Sequence, residues 1–312
     1  MLVQINHAIP TSDGGVCYQY DNSVKRLPEG VTRRRNGESR PFSVEVEDGR
    51  GMPLGSLTRN GYTFVENFPT TIDLQEHGLD SHRIADSYYP EISGLVSDAL
   101  GGRPTVKKVI VFDHTIRSRV RKSRREKETN GENIGGYAMG AHNDNTSRSA
   151  KNRVRSLSKG KETGGSLTLA RPPVTEEDAE RIVSGRFGIF NVWRHFRTDY
   201  PVLDYPLAVL DAQSIQPQDC VRCQYIYPDR VGEVVSMLRS TRHRWIYYPH
   251  MCHHEALVFK VFDSAAELGA ATPEECPPHT AHSSFRIPES LASTPARESI
   301  ECRVLVEFGD TM

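Results

Sequence analysis

In the stretch Gly140-Ala141-His142-Asn143-Asp144-Asn145-Thr146, an imidazole and a carboxylate stand two residues apart. Side chains alternate along a β-strand, so in an extended segment His142 and Asp144 share one face. An imidazole beside a carboxylate supplies two of the three ligands of a two-His-one-carboxylate Fe(II) centre. Such a centre leaves metal positions open for a cosubstrate and O2. A hydrogen-bonded polar pair with no metal has the same residues. The motif therefore needs a third ligand, a cosubstrate anchor and a substrate pocket around it.

The third ligand is sought among His250, His253, His254 and His279. His279 is the expected choice, because Arg297-Glu298-Ser299 follows it in order. A guanidinium grips a carboxylate bidentately, and a hydroxyl beside it can hold the second oxygen. In a strand, Arg297, Ser299 and Arg303 fall on one face, so the expected anchors for the far carboxylate of 2-oxoglutarate are these three. Each arginine has a plainer use in a surface salt bridge. A competing reading is a zinc hydrolase or zinc module built from His250, His253 and His254 with Cys220-x-x-Cys223 and Cys252. A third is a metal-free β-barrel binding module.

These residues need a scaffold of strands. Gly61–Val65, Val106–Ile116, Phe187–Phe196, Leu207–Ile215, Val221–Tyr227, Trp245–Tyr248, Ala256–Phe262 and Ile300–Phe308 are short, β-branched or aromatic runs separated by turn residues. That pattern predicts a sandwich or barrel. Two helices are expected outside it. Ile84, Tyr88, Ile92, Val96 and Leu100 make one apolar stripe, with a start or kink at Pro90. Pro173 to Gly185 has Thr175 to cap it, three acidic residues in its first turn and Gly185 to stop it. Residues 1–45, with Arg33, Arg34 and Arg35, read as an extended arm. The polar stretches 118–133 and 147–165 read as insertion loops, the second a candidate lid.

The 312 residues suffice for one large domain, here residues 46–312. A formal net charge of −1 argues against a general nucleic-acid binder. No apolar run reaches membrane-spanning length, and the N-terminus lacks a signal-peptide shape. Six scattered cysteines are not a disulfide framework, so reduced thiols and a cytoplasmic protein are expected, with a homodimer as the candidate assembly.

Several further segments carry a family likeness: Tyr88-Tyr89-Pro90-Glu91, Val111-Phe112-Asp113-His114-Thr115-Ile116-Arg117, Ala141 to Thr146, Asn191-Val192-Trp193-Arg194, Pro206 to Ala212, Trp245 to Met251, Pro278-His279-Thr280-Ala281 and Arg297 to Arg303. In this order they resemble the hydroxylase/desaturase family of Fe(II)/2-oxoglutarate-dependent oxygenases, which includes the cephamycin methoxylation subunit and gibberellin-desaturase-like proteins. The resemblance implies a mainly β, double-stranded β-helix (jelly-roll, cupin-like) core with flanking helices. It implies Fe(II) as metal, 2-oxoglutarate and O2 as cosubstrates, and iron held by His142, Asp144 and His279. It also implies a small-molecule substrate of natural-product metabolism, oxidised at an unactivated C–H by hydroxylation, desaturation or ring formation. Asn143, Asn145, His195 and His282 depart from the family pattern. With Arg117, Asn191, Trp193 and Arg194 they are the expected substrate-pocket residues, whose cationic members suit an amino-acid-like or carboxylate-bearing substrate. A strand-end polar network is the other use of Asn191, Trp193 and Arg194.

Overall fold

The computed structural model describes all residues except 12–15, 22, 69, 71–80, 103–104, 120–135, 160–171, 229, 292 and 310–312. Its small sheet is built from the most β-branched runs. β4 (Tyr62–Val65), β12 (Ala256–Asp263), β7 (Phe187–His195), β14 (Glu298–Phe308) and β5 (Val106–Ser118) lie side by side in that order. β7 and β12 are buried along their whole length, so both faces of this sheet are covered. On one face the apolar stripe of the helix Tyr89–Ala99 packs Ile92 and Val96 against Val192, Cys302 and Val304. Pro90 stands in its first turn, directly after a π-helical turn over Ile84–Tyr88, where a missing N–H costs nothing.

The other face of the small sheet looks at a nine-stranded sheet. Its order is β1 (Leu2–Ile9), β3 (Glu38–Asp48), β11 (Trp245–Tyr247), β8 (Leu207–Leu210), β13 (His282–Ser284), β6 (His142–Asn143), β10 (Val231–Met237), β9 (Cys220–Ile226) and β2 (Cys17–Tyr20). Between the sheets Leu257, Phe259 and Leu305 meet Leu207, Val209 and Ile246. Each such side chain contributes about 1.5–3 kcal/mol by leaving water. The alternate residues Ala208, Leu210 and Trp245 point to the opposite side of the large sheet, against Val3, Ile5 and Val46. The fold is thus mainly β with curled, facing sheets, as expected of a jelly-roll scaffold.

Four features differ from expectation. Residues 1–45 do not trail: β1 pairs with β3 along its length, and β3 joins β11 in parallel. The thiols are not all reduced, because Cys17 is bonded to Cys223. The parallel pairing of β2 with β9 sets these two residues opposite each other, 206 positions apart in sequence and only 4.4 Å between Cα atoms. The polar run after Asp144 is not a loop at its start but a helix, Ser147–Ser156. Thr146 and Ser149 form its capping box, and the sparse apolar residues Ala150, Val154 and Leu157 all fall on its buried side. Strand β8 stops at Leu210, because Asp211 caps a short 3-10 turn over Ala212–Ser214. The rest of the two insertion segments, 120–133 and 160–165, lies outside the described residues.

Candidate metal centre

The centre of the large sheet brings two imidazoles together. In the pairing of β13 with β6, His282 is the cross-strand partner of His142, and the rings lie 4.3 Å apart between centroids. His282 is also opposite Val209, whose side chain points between the sheets, so both rings face the small sheet. Phe259 of that sheet packs on the His282 ring at 4.7 Å. Asp144 completes the group: ligand atoms of His142, Asp144 and His282 all lie within 4.8 Å of one another.

The structure brings His282, and not His279, into this group. His279 lies elsewhere, with Nε2 3.9 Å from the Cys220 sulfur, and burial lowers its pKa to about 4. His279 and His282 are three positions apart in an extended stretch, an odd step, so they point to opposite sides. The strand that selects His282, β13, is three residues long and too short to recognise by pattern.

The polar neighbours orient the group. His142 Nδ1 lies 2.7 Å from the Gly140 carbonyl oxygen, which can only accept. Nδ1 therefore carries a proton, and Nε2, 3.4 Å from Asp144 Oδ1, is the ring nitrogen on the carboxylate side. His282 Nε2 is 3.9 Å from the same oxygen. The other oxygen, Oδ2, accepts from Asn191 Nδ2 at 2.9 Å and has Arg303 Nε at 3.8 Å. Burial alone would raise the Asp144 pKa; the hydrogen bond from His142 and the proximity of His282 and the Arg303 guanidinium pull it well below the usual carboxylate range. Burial lowers the His142 pKa, but Asp144 and the Gly140 carbonyl outweigh it and the net shift is upward. For His282, burial and then the charge of His142 lower it to about 3, which keeps that ring neutral. Two imidazoles and an ionised carboxylate, converging and preoriented, fit a divalent metal of the Fe(II) type.

The expected anchors divide. Arg303 is held by Asp113 at 2.9 Å and Thr115 at 3.0 Å, with Glu301 at 3.6 Å, so it is committed to the carboxylates around the metal group. Arg297 has no such partner among the described residues. Its Nη1 donates to Ser284 Oγ at 2.9 Å and to the Tyr205 carbonyl, while Nε and Nη2 have no acceptor. It is buried over the rings of Tyr137 at 4.2 Å and Trp193 at 5.3 Å. Burial lowers its pKa to about 9. Ser299 Oγ and Trp193 Nε1 are also buried without partners among the described residues. Such orphaned groups cost free energy unless a ligand meets them, and a cation with spare donors beside a hydroxyl fits a carboxylate. Ser284, which sequence reasoning missed, lies two residues after His282 on the same face of β13. That step is about 7 Å, a distance a five-carbon dicarboxylate spans. The His-x-Ser alternation in Ala281-His282-Ser283-Ser284 was the available signal.

The remaining pocket residues scatter. Arg117 and Asn145 line a cavity of about 870 Å³ that includes His142 and Asp144 in its wall. Asn143 points to the other side of β6 and donates to the Asn145 carbonyl at 2.6 Å. Asn191 holds Asp144, and Trp193 lies under Arg297. Arg194 is on the opposite face of β7, buried between the rings of Phe68 and Tyr88. His195 shares a hydrogen bond of 3.0 Å with the Tyr200 carbonyl. The zinc alternative also comes apart. Cys223 is consumed by its bond to Cys17, and His250, His253 and His254 form no ligand cluster among the described residues.

Comparison with known proteins agrees with this geometry. The family described as oxidoreductase/YMDC permease-like domain matches residues 5–307. The hydroxylase/desaturase efuI of Hormonema carpetanum is 24% identical over 98% of this chain and 94% of its own length. The Fe(II)/2-oxoglutarate-dependent dioxygenase nvfI of Aspergillus novofumigatus is 29% identical over 86% of this chain and 84% of its own. A solved structure of the iron and alpha-ketoglutarate-dependent endoperoxidase NvfI superposes with a TM-score of 0.74 at 25% identity, covering 99% of this chain and 98% of that one. With its sheets and its sequence matching along nearly the whole chain, the protein belongs to the oxidoreductase/YMDC permease-like family and, within it, to the hydroxylase/desaturase group of Fe(II)/2-oxoglutarate-dependent oxygenases.

Proposed function

We propose that this protein is a non-haem Fe(II)/2-oxoglutarate-dependent dioxygenase that oxidises an unactivated C–H of a small molecule in natural-product metabolism. The outcome is hydroxylation, desaturation or oxidative ring formation. The observation that carries the reading is the convergence of His142, Asp144 and His282. Bound Fe(II), with 2-oxoglutarate and O2, supplies the oxidising power while 2-oxoglutarate is converted to succinate and CO2. The chain's own residues bind and orient. His142 and His282 offer Nε2, and Asp144 offers Oδ1. Asn191 and Arg303 hold the second carboxylate oxygen, which keeps Asp144 in one rotamer and ionised. Arg297, Ser299 and Ser284 receive the far carboxylate of 2-oxoglutarate, supported by the unpartnered Arg297 Nε and Nη2 and Ser299 Oγ. Trp193 and Tyr137 shield that guanidinium from water, which strengthens its hold on an anion.

The substrate side is the 870 Å³ cavity, whose Arg117 and Arg153 support a carboxylate-bearing or amino-acid-like molecule. Cytoplasmic action and a homodimer belong to the proposal as sequence expectations, checked by cell fractionation and sedimentation. The test of the enzyme reading is anaerobic addition of Fe(II) and 2-oxoglutarate. A weak visible charge-transfer band near about 500 nm is expected, as an oxo-acid chelate on a facial triad gives. A protein that retains zinc and shows no band contradicts the reading.

A further inference from the structure

The helix Ser147–Ser156 begins three residues after Asp144 and carries four cationic side chains, Arg148, Lys151, Arg153 and Arg155. Three of them have acidic partners: Arg148 with Glu233 at 3.8 Å, Lys151 with Glu267 at 2.7 Å and Arg155 with Glu180 at 2.7 Å. Arg153 has none among the described residues. It is half-buried and lines the same cavity as His142 and Asp144. The acids nearby are already engaged. Asp113 is held by Arg303, Glu38 faces Arg40 at 3.6 Å, and Glu233 accepts from Thr146 at 2.8 Å. Burial also lowers the Arg153 pKa, the mark of a guanidinium short of counter-charge.

The helix is a rigid mount. Its capping box of Thr146 and Ser149 fixes its start, with Thr146 two residues after Asp144, Ser149 Oγ donates to the Glu233 carbonyl at 2.8 Å, and Ala150 and Val154 are fully buried. A side chain on this mount keeps a fixed position relative to the metal group. Arg117 contributes a second cation to the cavity; its Nη1 donates to the Gly136 carbonyl at 2.8 Å, and it has no carboxylate among the described residues.

We propose that Arg153, supported by Arg117, is the specificity-determining residue: it binds a carboxylate of the small-molecule substrate and so selects which carbon faces His142, Asp144 and His282. The proposal rests on the oxygenase reading above. A carboxylate suits the site better than a phosphate. The planar guanidinium matches it bidentately, and Glu38, Glu233 and Asp144 in the same wall repel a dianion more strongly.

The test uses the full chain with Fe(II) and 2-oxoglutarate and a panel of terpenoid, aromatic and N-acetyl amino acids. Each acid is paired with its methyl ester and, where one exists, a phosphate analogue. Displacement of the charge-transfer band under argon reads binding, and substrate-stimulated succinate formation in air reads turnover. Wild type should respond to at least one acid with a half-saturation at least about tenfold below that of its ester. Arg153→Gln should lose that preference, chiefly through KM, and Arg153→Lys should restore part of it. Arg155→Gln, on the outer side of the helix, should leave the preference intact. The proposal is overturned if no acid outperforms its ester, if a phosphate analogue outperforms every acid, or if Arg153→Gln keeps the wild-type preference. Failure of the oxygenase reading is separate and visible first, because the charge-transfer band then never forms.

Discussion

Arg303 and Arg297 leave the same stretch of chain toward the same interior, yet they stand in opposite electrostatic conditions. Arg303 is surrounded by Asp113, Glu301 and Asp144, and these neighbours raise its pKa although burial opposes them. Arg297 is the more deeply buried of the two, with one carbonyl and one hydroxyl acceptor, further donors without an acceptor among the described residues, and a pKa lowered to about 9. The first arginine completes a charge network inside the protein. The second is finished only by something that binds. A buried cation paired within the fold stabilises the apoprotein, whereas a buried cation without a carboxylate is a recognition device held at a cost to stability.

The largest effect should come from the group that Arg303 supports. His282→Ala should abolish the anaerobic charge-transfer band and lower turnover by at least about 100-fold, while His279→Ala keeps both. The reverse pattern would return the third ligand to His279. Next comes Arg303→Met, which strands three carboxylates. It should cost roughly 3–5 kcal/mol of stability, seen as a large fall in melting temperature with no 2-oxoglutarate present.

Arg297→Met should separate the two arginines. Its stability without ligand should stay within about 1 kcal/mol of the parent, while the half-saturating 2-oxoglutarate concentration rises about 100-fold, or about 2.7 kcal/mol. In the parent, added 2-oxoglutarate with metal should raise the melting temperature, and in this variant it should not. Equal destabilisation of the ligand-free protein by the Arg297 and Arg303 substitutions would erase the distinction.

The smallest effect is a pH dependence at the Arg297 end. Burial lowers the His195 pKa to about 4, against the opposing hydrogen bonds of the Tyr200 and Glu298 backbone. The unfolded chain, with its ordinary value near 6.5, binds the proton first. The contribution of neutral His195 is therefore complete above pH about 6.5 and is lost as pH falls toward about 4, by at most about 1.4 kcal/mol per pH unit. Chemical denaturation at pH 7 and 5 should show the loss, and a His195→Phe variant should show less of it.

Much of this was legible in the chain. The small sheet announced itself through β5, β7, β12 and β14, because their β-branched and aromatic runs fit strands that are largely covered by packing. The capped helix at Glu176–Ser184 followed from Thr175 and the acidic first turn. His142 and Asp144 were readable because a two-residue spacing keeps side chains on one side. Local chemistry of this kind is written in neighbouring residues, and a sequence displays it directly.

The tertiary structure decided what depends on residues far apart. His282 rather than His279 joins the metal group, because a three-residue strand is placed by its neighbours β6 and β8 and not by its own pattern. The Cys17–Cys223 bond exists because β2 joins β9 in parallel, and that pairing leaves no trace in spacing. Arg297 and Arg303 are alike on paper; only packing shows which has carboxylates around it. The sequence by itself determined the residue types capable of holding iron and a dicarboxylate. Long-range strand register, set by burial of one face against another, determined which of them meet.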